Sequence, residues 1–332
     1  MNILILHNDT DLSKAQKVDF YGRTSCAKHI EKAIKELGHN TTMLLADEKW
    51  LGKVMHKRTA IDLVFNLADE GHCARPEWEP HVPAVFDVLG MSYTGSNQQA
   101  ITLCLDKNIT NLLLASHNVA VPQTLSIPCG RMVEEPVLAN KYPFFVKPRS
   151  QDGSIGINNN SLVHNIDELR RQVQYIHDSF NCDALIQEYL DGEEYNVGIL
   201  GHNQNFTILA ISKLGFDLPA GYPCVLTYDS KWNEKSIEFN NIDVEFPKLE
   251  KELLEKLTSA AIAAYTILGL QDYGRVDFRV VDGVPYVIDV NPNPDLSPDA
   301  GLANMALSKE VSYSQLVGKI IESSLSRTGK KI

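Results

Sequence analysis

The stretch YGRVDFRVVDGVPYVIDVNPNP, residues 273–294, has two runs of alternating residues on either side of an Asp-Gly pair at 282–283. Such runs, joined by residues that tolerate a positive φ, predict two antiparallel strands connected by a tight turn. A two-residue turn would pair Val281 with Val284, whereas a three-residue loop would pair Val280 with Val284. We predict the three-residue loop, and this register determines which side chains share a face.

The predicted register gathers polar side chains on one face of the hairpin. Asp277, Asp289 and Asn291 share that face with Arg275, because alternate residues of a strand point the same way. The apolar face is formed by Val276, Phe278, Val280, Ile288 and Val290. Two carboxylates and an amide oxygen suit magnesium with bound phosphates. With the two-residue turn Asp277 would face away from Asp289, and an edge hairpin with a solvated polar face is the alternative.

A lysine and a glycine-rich loop follow an apolar strand in YPFFVKPRSQDGSIG, residues 142–156. Gly153 and Gly156 let backbone N–H groups approach phosphate oxygens, and Lys147 supplies a positive charge. The order differs from a P-loop, in which the lysine follows the glycines, and a plain hairpin turn is the alternative. Lys107 is a second phosphate-binding candidate, although a single lysine on a helix is also typical of a solvated surface.

The segment LIQEYLDGEEYNV, residues 185–197, contains a buried strand, a short polar connector and a glutamate. The connector can offer backbone groups to the edge of an adenine ring, and Glu194 can accept hydrogen bonds from ribose hydroxyls. A charged turn between two strands is the alternative interpretation.

The first hundred residues alternate strand and helix patterns. Strands are predicted at ILIL, TTMLL and IDLVFNL, and the helix CAKHIEKAIKELGHN is predicted to end at Gly38. This alternation indicates a parallel, doubly wound sheet with a ligand crevice beyond the carboxyl ends of its strands. Further helices are predicted over residues 97–119 and 249–268, and the polar segment 217–235 is a candidate lid.

The composition limits the classes of partner. With 31 basic and 42 acidic side chains the net charge is −11, which argues against general binding of nucleic acid and against attraction to an anionic membrane. Six scattered cysteines without a C-x-x-C pair favour free thiols and a cytoplasmic location. The opening MNILILHND has no basic region or cleavage site, so it predicts a buried strand rather than a signal peptide.

The order of these segments resembles that of a known family, the D-alanine–D-alanine ligase-like branch of the ATP-grasp fold. The segments that carry the resemblance are residues 65–97, 105–122, 142–156, 185–197 and 273–294. The resemblance implies an α/β chain, α+β in the ATP-grasp part, in which a doubly wound parallel-sheet domain precedes a two-lobed ATP-grasp fold. The expected domains are 1–98, 99–184 and 185–332, the last with the metal site.

The resemblance also implies ATP and Mg²⁺ (or Mn²⁺) as cofactors, and it assigns roles to residues. The ATP site would comprise Lys107, Lys147, Gly153, Ser154, Ile155, Gly156, Gln187, Glu188, Tyr189, Leu190, Glu194 and Lys231. The metal ligands would be Asp277, Asp289 and Asn291. Arg275 would stabilise the transferred phosphoryl group, with Lys231 and Asp295 as further catalytic residues. Such enzymes activate a carboxylate as an acyl phosphate, which an amine then attacks.

The substrate-side positions depart from the pattern of D-alanine–D-alanine ligases. Asp19 is a weak replacement for a missing glutamate, and Trp232 stands where a tyrosine is expected. Ala300 replaces a serine expected to bind a substrate carboxylate, and Asp295 replaces a glycine. Asp295 could receive an ammonium group or act as a base, and a residue that caps an Asx-turn is the alternative.

The polar stretch after IDLVFNL is predicted to face the crevice, with Glu70 and Arg75 as candidate substrate residues. Arg75 could hold a carboxylate through a bidentate pair, and a surface arginine is the alternative. These features predict an ATP- and magnesium-dependent carboxylate–amine ligase for small amino-acid-like substrates other than two D-alanines. D-alanine–D-alanine ligase itself and a non-catalytic nucleotide-binding protein are the alternatives, and the resemblance is compatible with a homodimer.

Overall fold

The computed structural model describes residues 1–8, 26–134, 138, 142–202 and 205–329, and three β-sheets form its framework. The N-terminal elements are β1 (Asn2–His7), α1 (Cys26–Glu36), β2 (Asn40–Leu45), α2 (Trp50–Lys57), β3 (Leu63–Leu67) and α3 (His81–Leu89). The strands pair in parallel in the order β2-β1-β3, which confirms the predicted parallel sheet. Ile3 and Ile5 pack against α1, whereas Leu4 and Leu6 pack against α2 and α3, so helices cover both faces.

The middle of the chain forms a second, antiparallel sheet in the order β4-β7-β5-β6. Its elements are α4 (Gln98–Leu105), α5 (Lys107–Ser116), β4 (Thr124–Ile127), β5 (Phe144–Pro148), β6 (Leu162–Val163), α6 (Ile166–Phe180) and β7 (Ala184–Glu188). The single helix predicted over residues 97–119 is wrong, because Asp106 divides it into α4 and α5. The Asp106 carboxylate accepts hydrogen bonds from the backbone N–H groups of Asn108 and Ile109 and thereby caps α5.

The third sheet is also antiparallel and has the order β10-β9-β8-β11-β12. The C-terminal elements are β8 (Glu193–His202), β9 (Asn205–Phe216), α7 (Tyr228–Trp232), α8 (Ile237–Asn240), β10 (Ile242–Glu245), α9 (Lys251–Leu268), β11 (Tyr273–Val281), β12 (Val284–Asn291), α10 (Gly301–Leu307) and α11 (Tyr313–Arg327). The predicted amphipathic helix is confirmed as α9, which buries Leu257, Ala264 and Leu268 against this sheet.

The hairpin of β11 and β12 has the two-residue turn, so the predicted three-residue loop is wrong. The strand residues that flank 282–283 pair directly with each other. A β-bulge at Ile288 then adds one residue to β12, and beyond it Asp277 lies opposite Asp289. With the two-residue turn alone, Asp277 and Asp289 would lie on opposite faces of the hairpin. The extra residue of the bulge returns both carboxylates to the same face. Val287, and not Ile288, joins the apolar core on the other face.

The C-terminal helices connect the third sheet to the N-terminal one, because α10 and α11 fill the same core as β1 and α1. The division into three domains remains a proposal. The strand β7 begins at the proposed second boundary but pairs within the second sheet, which favours a boundary after Glu188. Within the described ranges, no helix combines the length and the apolar character needed to cross a membrane.

Candidate active site

A cleft between the second and third sheets gathers most of the residues predicted to bind nucleotide and metal. It is partly open to solvent, and clefts between parts of a protein are common positions for small-molecule sites. The predicted residues that line it are Lys147, Ser154, Gln187, Glu188, Tyr189, Leu190, Glu194, Lys231, Asp277 and Asp289. The strands β5, β7, β8, β11 and β12 therefore bring together side chains that are far apart in the sequence.

One part of the cleft combines apolar walls with a buried amide. Phe145, Ile157, Val225 and Leu226 provide the walls. Gln187 is 3% exposed, and its Nε2 has no hydrogen-bond partner among the described residues. A buried donor without an acceptor costs about 1–3 kcal/mol, so this amide is better satisfied when a ligand supplies the acceptor. Apolar walls and a free donor fit the faces and ring nitrogens of a purine base.

Glu194 is buried in the cleft and faces Arg279 across β8 and β11. The Nη2 atom of Arg279 lies 2.8 Å from Oε2 of Glu194. Burial raises the pKa of Glu194, and the charge of Arg279 opposes that shift. The carboxylate lines the cleft, and its contact with a ribose hydroxyl stays a prediction. No sequence pattern singled out Arg279, because it is one charged residue among several on an alternating strand.

Lys147 reaches from β5 to the bulge in β12. Its Nζ donates a hydrogen bond to the carbonyl oxygen of Ile288 at 3.3 Å, the residue that the bulge leaves outside the strand pairing. Burial lowers the pKa of Lys147 to about 8, although the nearby carboxylate of Asp289 opposes the shift. Lys147 is thus a poorly solvated cation in the cleft, and an anionic ligand would stabilise its charge.

Lys107 is a buried cation at the start of α5. The alternative interpretation, a lysine on the solvated surface of a helix, is therefore wrong. Its Nζ lies 2.8 Å from Oδ1 of Asp152 and 3.5 Å from Oδ1 of Asp289. Burial would lower the pKa of Lys107, but the two carboxylates outweigh burial and raise it. Burial would raise the pKa of Asp289, but Lys107 and Lys147 outweigh burial and lower it. Asp289 therefore stays ionised, as a metal ligand must.

Arg275 and Asp277 form a bidentate pair on β11, with Nε and Nη2 of the arginine 2.7 and 2.8 Å from the two carboxylate oxygens. Asn291 donates from Nδ2 to Oδ2 of Asp277 at 3.1 Å. The oxygen atoms of Asp277, Asp289 and Asn291 fit a hard cation such as magnesium. Over the described ranges, no group of three or more His, Cys, Asp or Glu side chains is arranged to hold a metal. A cation here would therefore need the amide oxygen and ligand phosphates as well as the two carboxylates.

The glycine-rich loop has the left-handed backbone that its glycines allow. The φ angles of Gly153, Ser154 and Gly156 are +60°, +62° and +78°. A Cβ on Gly156 would lie 2.4 Å from Cγ of Pro148, so only glycine fits there. The N–H of Ile155 donates to the carbonyl of residue 152. This N–H is already engaged within the turn, which weakens the prediction that it binds phosphate.

The candidate lid contacts this loop through α7. Trp232 donates its indole N–H to the carbonyl oxygen of Gly153 at 2.9 Å. Lys231, the preceding residue, lines the cleft, and burial lowers its pKa. The loop and α7 therefore lie together over one side of the cleft, with Trp232 on the outside and Lys231 on the inside.

The predicted substrate residues Glu70, Arg75 and Asp295 do not line the cleft. Arg75 is exposed and pairs with Glu77 at 2.9 Å, as expected of a surface arginine. Glu70 is also exposed. The Oδ1 atom of Asp295 accepts hydrogen bonds from the N–H and the hydroxyl of Ser297 at 2.8 and 2.7 Å, which matches the Asx-turn alternative.

Glu79 is a buried carboxyl between the N-terminal part and the exit of β12, and no sequence pattern pointed to it. Asn293 donates from Nδ2 to Oε1 of Glu79 at 2.5 Å. Burial raises the pKa of Glu79 well above its ordinary value. Asp19, the remaining predicted substrate residue, lies outside the described residues.

Comparisons of the sequence and of the fold with known proteins both find similarity to D-alanine–D-alanine ligases. The family described as "D-ala D-ala ligase C-terminus" matches residues 119–322, more than half of the chain. An uncharacterized protein, y4sG of Sinorhizobium fredii, is 30% identical over 89% of this chain and 86% of its own. A D-alanine–D-alanine ligase of Pseudothermotoga lettingae is 28% identical over 90% of this chain and 93% of its own. The crystal structure of the Bacillus anthracis D-alanine–D-alanine ligase with ATP has a TM-score of 0.77, 23% identity and 99% coverage of both chains, which supports the same fold.

Proposed function

We propose that this chain, which belongs to the D-alanine–D-alanine ligase family of ATP-grasp enzymes and is an ATP-dependent carboxylate–amine ligase, acts on two amino-acid-like substrates that are not both D-alanine. The observation that carries this proposal lies at the start of α10. Ala300 precedes the helix and provides no side-chain cap, and a Cβ on Gly301 would lie 3.9 Å from Nη1 of Arg275. The start of α10 thus lies near the proposed phosphoryl-transfer centre, and the residue before it, Ala300, lacks the hydroxyl of the serine that was expected to bind a substrate carboxylate.

The first step would transfer the γ-phosphoryl group of ATP to the carboxylate of one substrate. A carboxylate oxygen attacks the γ-phosphorus, the bond to the β–γ bridging oxygen breaks, and ADP leaves. Lys107, Lys147 and Arg275 would balance the negative charge of the phosphates and of the transferred group. Asp277, Asp289 and Asn291 would hold magnesium, which neutralises phosphate charge when bound.

The second step would form the amide bond. The nitrogen of the second substrate attacks the carbonyl carbon of the acyl phosphate, the bond from that carbon to the phosphate oxygen breaks, and inorganic phosphate leaves. The attacking nitrogen must lose a proton, since an ammonium group has no lone pair. We do not assign this proton to Asp295, the base predicted from the sequence, because Asp295 does not line the cleft and its Oδ1 accepts two hydrogen bonds from Ser297.

An acyl phosphate reacts with water, so the cleft must exclude water during the reaction. The glycine-rich loop and α7 would exclude water from one side of the cleft, because the indole N–H of Trp232 donates a hydrogen bond to the carbonyl oxygen of Gly153 there. We propose that this contact closes the cleft at the position where a tyrosine was expected.

A D-alanine–D-alanine ligase is the second candidate function. The named relative from Pseudothermotoga lettingae favours it, since that protein is similar over nearly the whole chain. The two candidates share the nucleotide and metal chemistry and differ only in the substrate pair.

Release of ADP from ATP and magnesium, measured against a matrix of paired amino acids that includes D-alanine, separates the two candidates. We expect ADP release only with an unlike pair, and we expect the exchange Arg275→Met to abolish it. Arg75→Met serves as the control, because Arg75 lies on the surface away from the cleft. Full activity with D-alanine alone would contradict the proposal and favour the second candidate.

A further inference from the structure

Arg279, on β11, donates hydrogen bonds to two other backbone segments beside Glu194. Its Nη1 donates to the carbonyl oxygen of Gly192 at 2.8 Å, and its Nη2 donates to the carbonyl oxygen of Cys224. The same Nη2 lies 2.8 Å from Oε2 of Glu194. The guanidinium carbon is 5.6 Å from the centre of the Phe216 ring. Two carbonyls and a ring therefore fix the plane of the guanidinium, and the guanidinium in turn fixes the carboxylate.

The approach of Gly192 to β11 has a steric basis. A Cβ on Gly192 would lie 2.1 Å from the carbonyl oxygen of Val280, so only glycine allows the two segments to come this close. The close approach brings the Gly192 carbonyl within reach of the guanidinium. The connector that precedes β8 is thus shaped to hold Arg279.

A gain in the stability of the fold does not by itself explain the ion pair between Arg279 and Glu194. Both side chains are 6% exposed, and burying two charges costs several kcal/mol per ion before their attraction offsets it. An apolar pair of similar volume would stabilise the fold about as well. A planar guanidinium does offer something that apolar groups lack, because its fixed N–H directions orient a carboxylate.

We propose that Arg279 is a positioning residue for the nucleotide, which holds the Glu194 carboxylate toward the ribose hydroxyls and thereby sets the preference for a ribonucleotide. This inference rests on the proposed function, because it takes ATP as the ligand of the cleft. Both residues line the cleft beside the walls that fit the base, so a sugar attached to that base would lie within their reach.

The test compares the affinities of the whole protein for ATP, 2′-deoxy-ATP and 3′-deoxy-ATP by calorimetry in the presence of magnesium. We expect the wild-type protein to prefer ATP over at least one deoxynucleotide by about tenfold, the worth of one hydrogen bond to a charged group. Arg279→Met should weaken ATP binding by about tenfold and deoxynucleotide binding by less than about threefold, so the preference collapses. Glu194→Gln should collapse it too, and Arg279→Lys should restore only part of it, since an ammonium lacks the planar fork.

Arg327→Met is the matched control, because Arg327 also forms a buried pair with a carboxylate, at 2.9 Å from Asp272, away from the cleft. We expect this variant to be less stable but to keep the wild-type preference. An Arg279→Met protein that keeps the preference would overturn the inference and leave the proposed function intact, as would a wild-type protein that binds ATP without any preference. A wild-type protein that binds no ATP would overturn the proposed function and the inference together.

Discussion

Lys107 and Lys147 are buried near the half-buried carboxylate of Asp289, and each of the three influences the charge of the others. Lys107 has two carboxylates within 3.5 Å, whereas the hydrogen bond of Lys147 goes to a neutral carbonyl oxygen. This difference explains why the pKa of Lys107 is raised while burial lowers the pKa of Lys147 to about 8. Of these two lysines, Lys147 is therefore the one whose charge is sensitive to pH near neutrality.

The affinity of the free protein for ATP should fall as the pH rises above about 8. Lys147 carries its charge below its pKa and loses it above, and a neutral amine attracts phosphate much less strongly. The loss should reach about tenfold per pH unit above the pKa, because ATP binding must then take up one proton. Calorimetry from pH 6.5 to 9.5 measures this, and Lys147→Gln is the control that should remove the step at about pH 8. An affinity of the wild-type protein that stays constant up to pH 9.5 would contradict the assignment of Lys147 to the phosphates.

At the scale of single elements, the bulge in β12 shows where prediction from the sequence stops. The two strands and the position of the turn between them follow from local pattern, but the shared face of Asp277 and Asp289 depends on the bulge. The bulge does not follow from local pattern, because Ile288 resembles any other apolar strand residue until Lys147, 141 positions away in the chain, bonds to its carbonyl. The predicted face was thus reached through the wrong loop. The roles of Arg279 and Glu79 could not be predicted from the sequence for the same reason, because their hydrogen-bond partners lie in distant segments of the chain.

The glycine-rich loop offers a matched pair of substitutions. Gly156→Ala should lower the free energy of unfolding by about 2–4 kcal/mol, because the new methyl would overlap Pro148 and the φ is positive. Gly153→Ala should cost only about 1 kcal/mol, because its φ is also positive but its Cβ would meet only Trp232, at 3.7 Å. Urea unfolding of both variants measures the difference. Equal costs would mean that the loop can shift away from Pro148.

At the scale of the whole molecule, a buried cluster around Asp272 connects the N-terminal part to the C-terminal helix. Asp272 is fully buried, and its carboxylate accepts hydrogen bonds from Arg327, from the Ser323 hydroxyl and from the backbone N–H of Gly95. Together with the core shared by β1, α1, α10 and α11, the cluster fixes the first sheet relative to the cleft. The parallel sheet could be predicted from its pattern, but this joint could not, since Asp272 accepts the hydrogen bond of Gly95 from 177 positions away.

Arg327→Met should therefore destabilise the protein by about 3–5 kcal/mol, because it leaves the buried carboxylate of Asp272 without its cation. Urea unfolding followed by circular dichroism measures this change. Arg75→Met is the control, since its pair with Glu77 is exposed and should contribute little. A loss for Arg327→Met no larger than that of the control would contradict the role of the cluster as a structural joint.

The path of oxygen from the donor carboxylate to phosphate tests the acyl-phosphate route most directly. The active substrate pair from the ADP-release matrix is supplied with both oxygens of the donor carboxylate labelled with ¹⁸O, together with ATP and magnesium. Mass spectrometry of the products should find one ¹⁸O atom in each phosphate released and one in the new amide carbonyl, because the attacking oxygen leaves with the phosphate. Phosphate without label would contradict the proposed reaction.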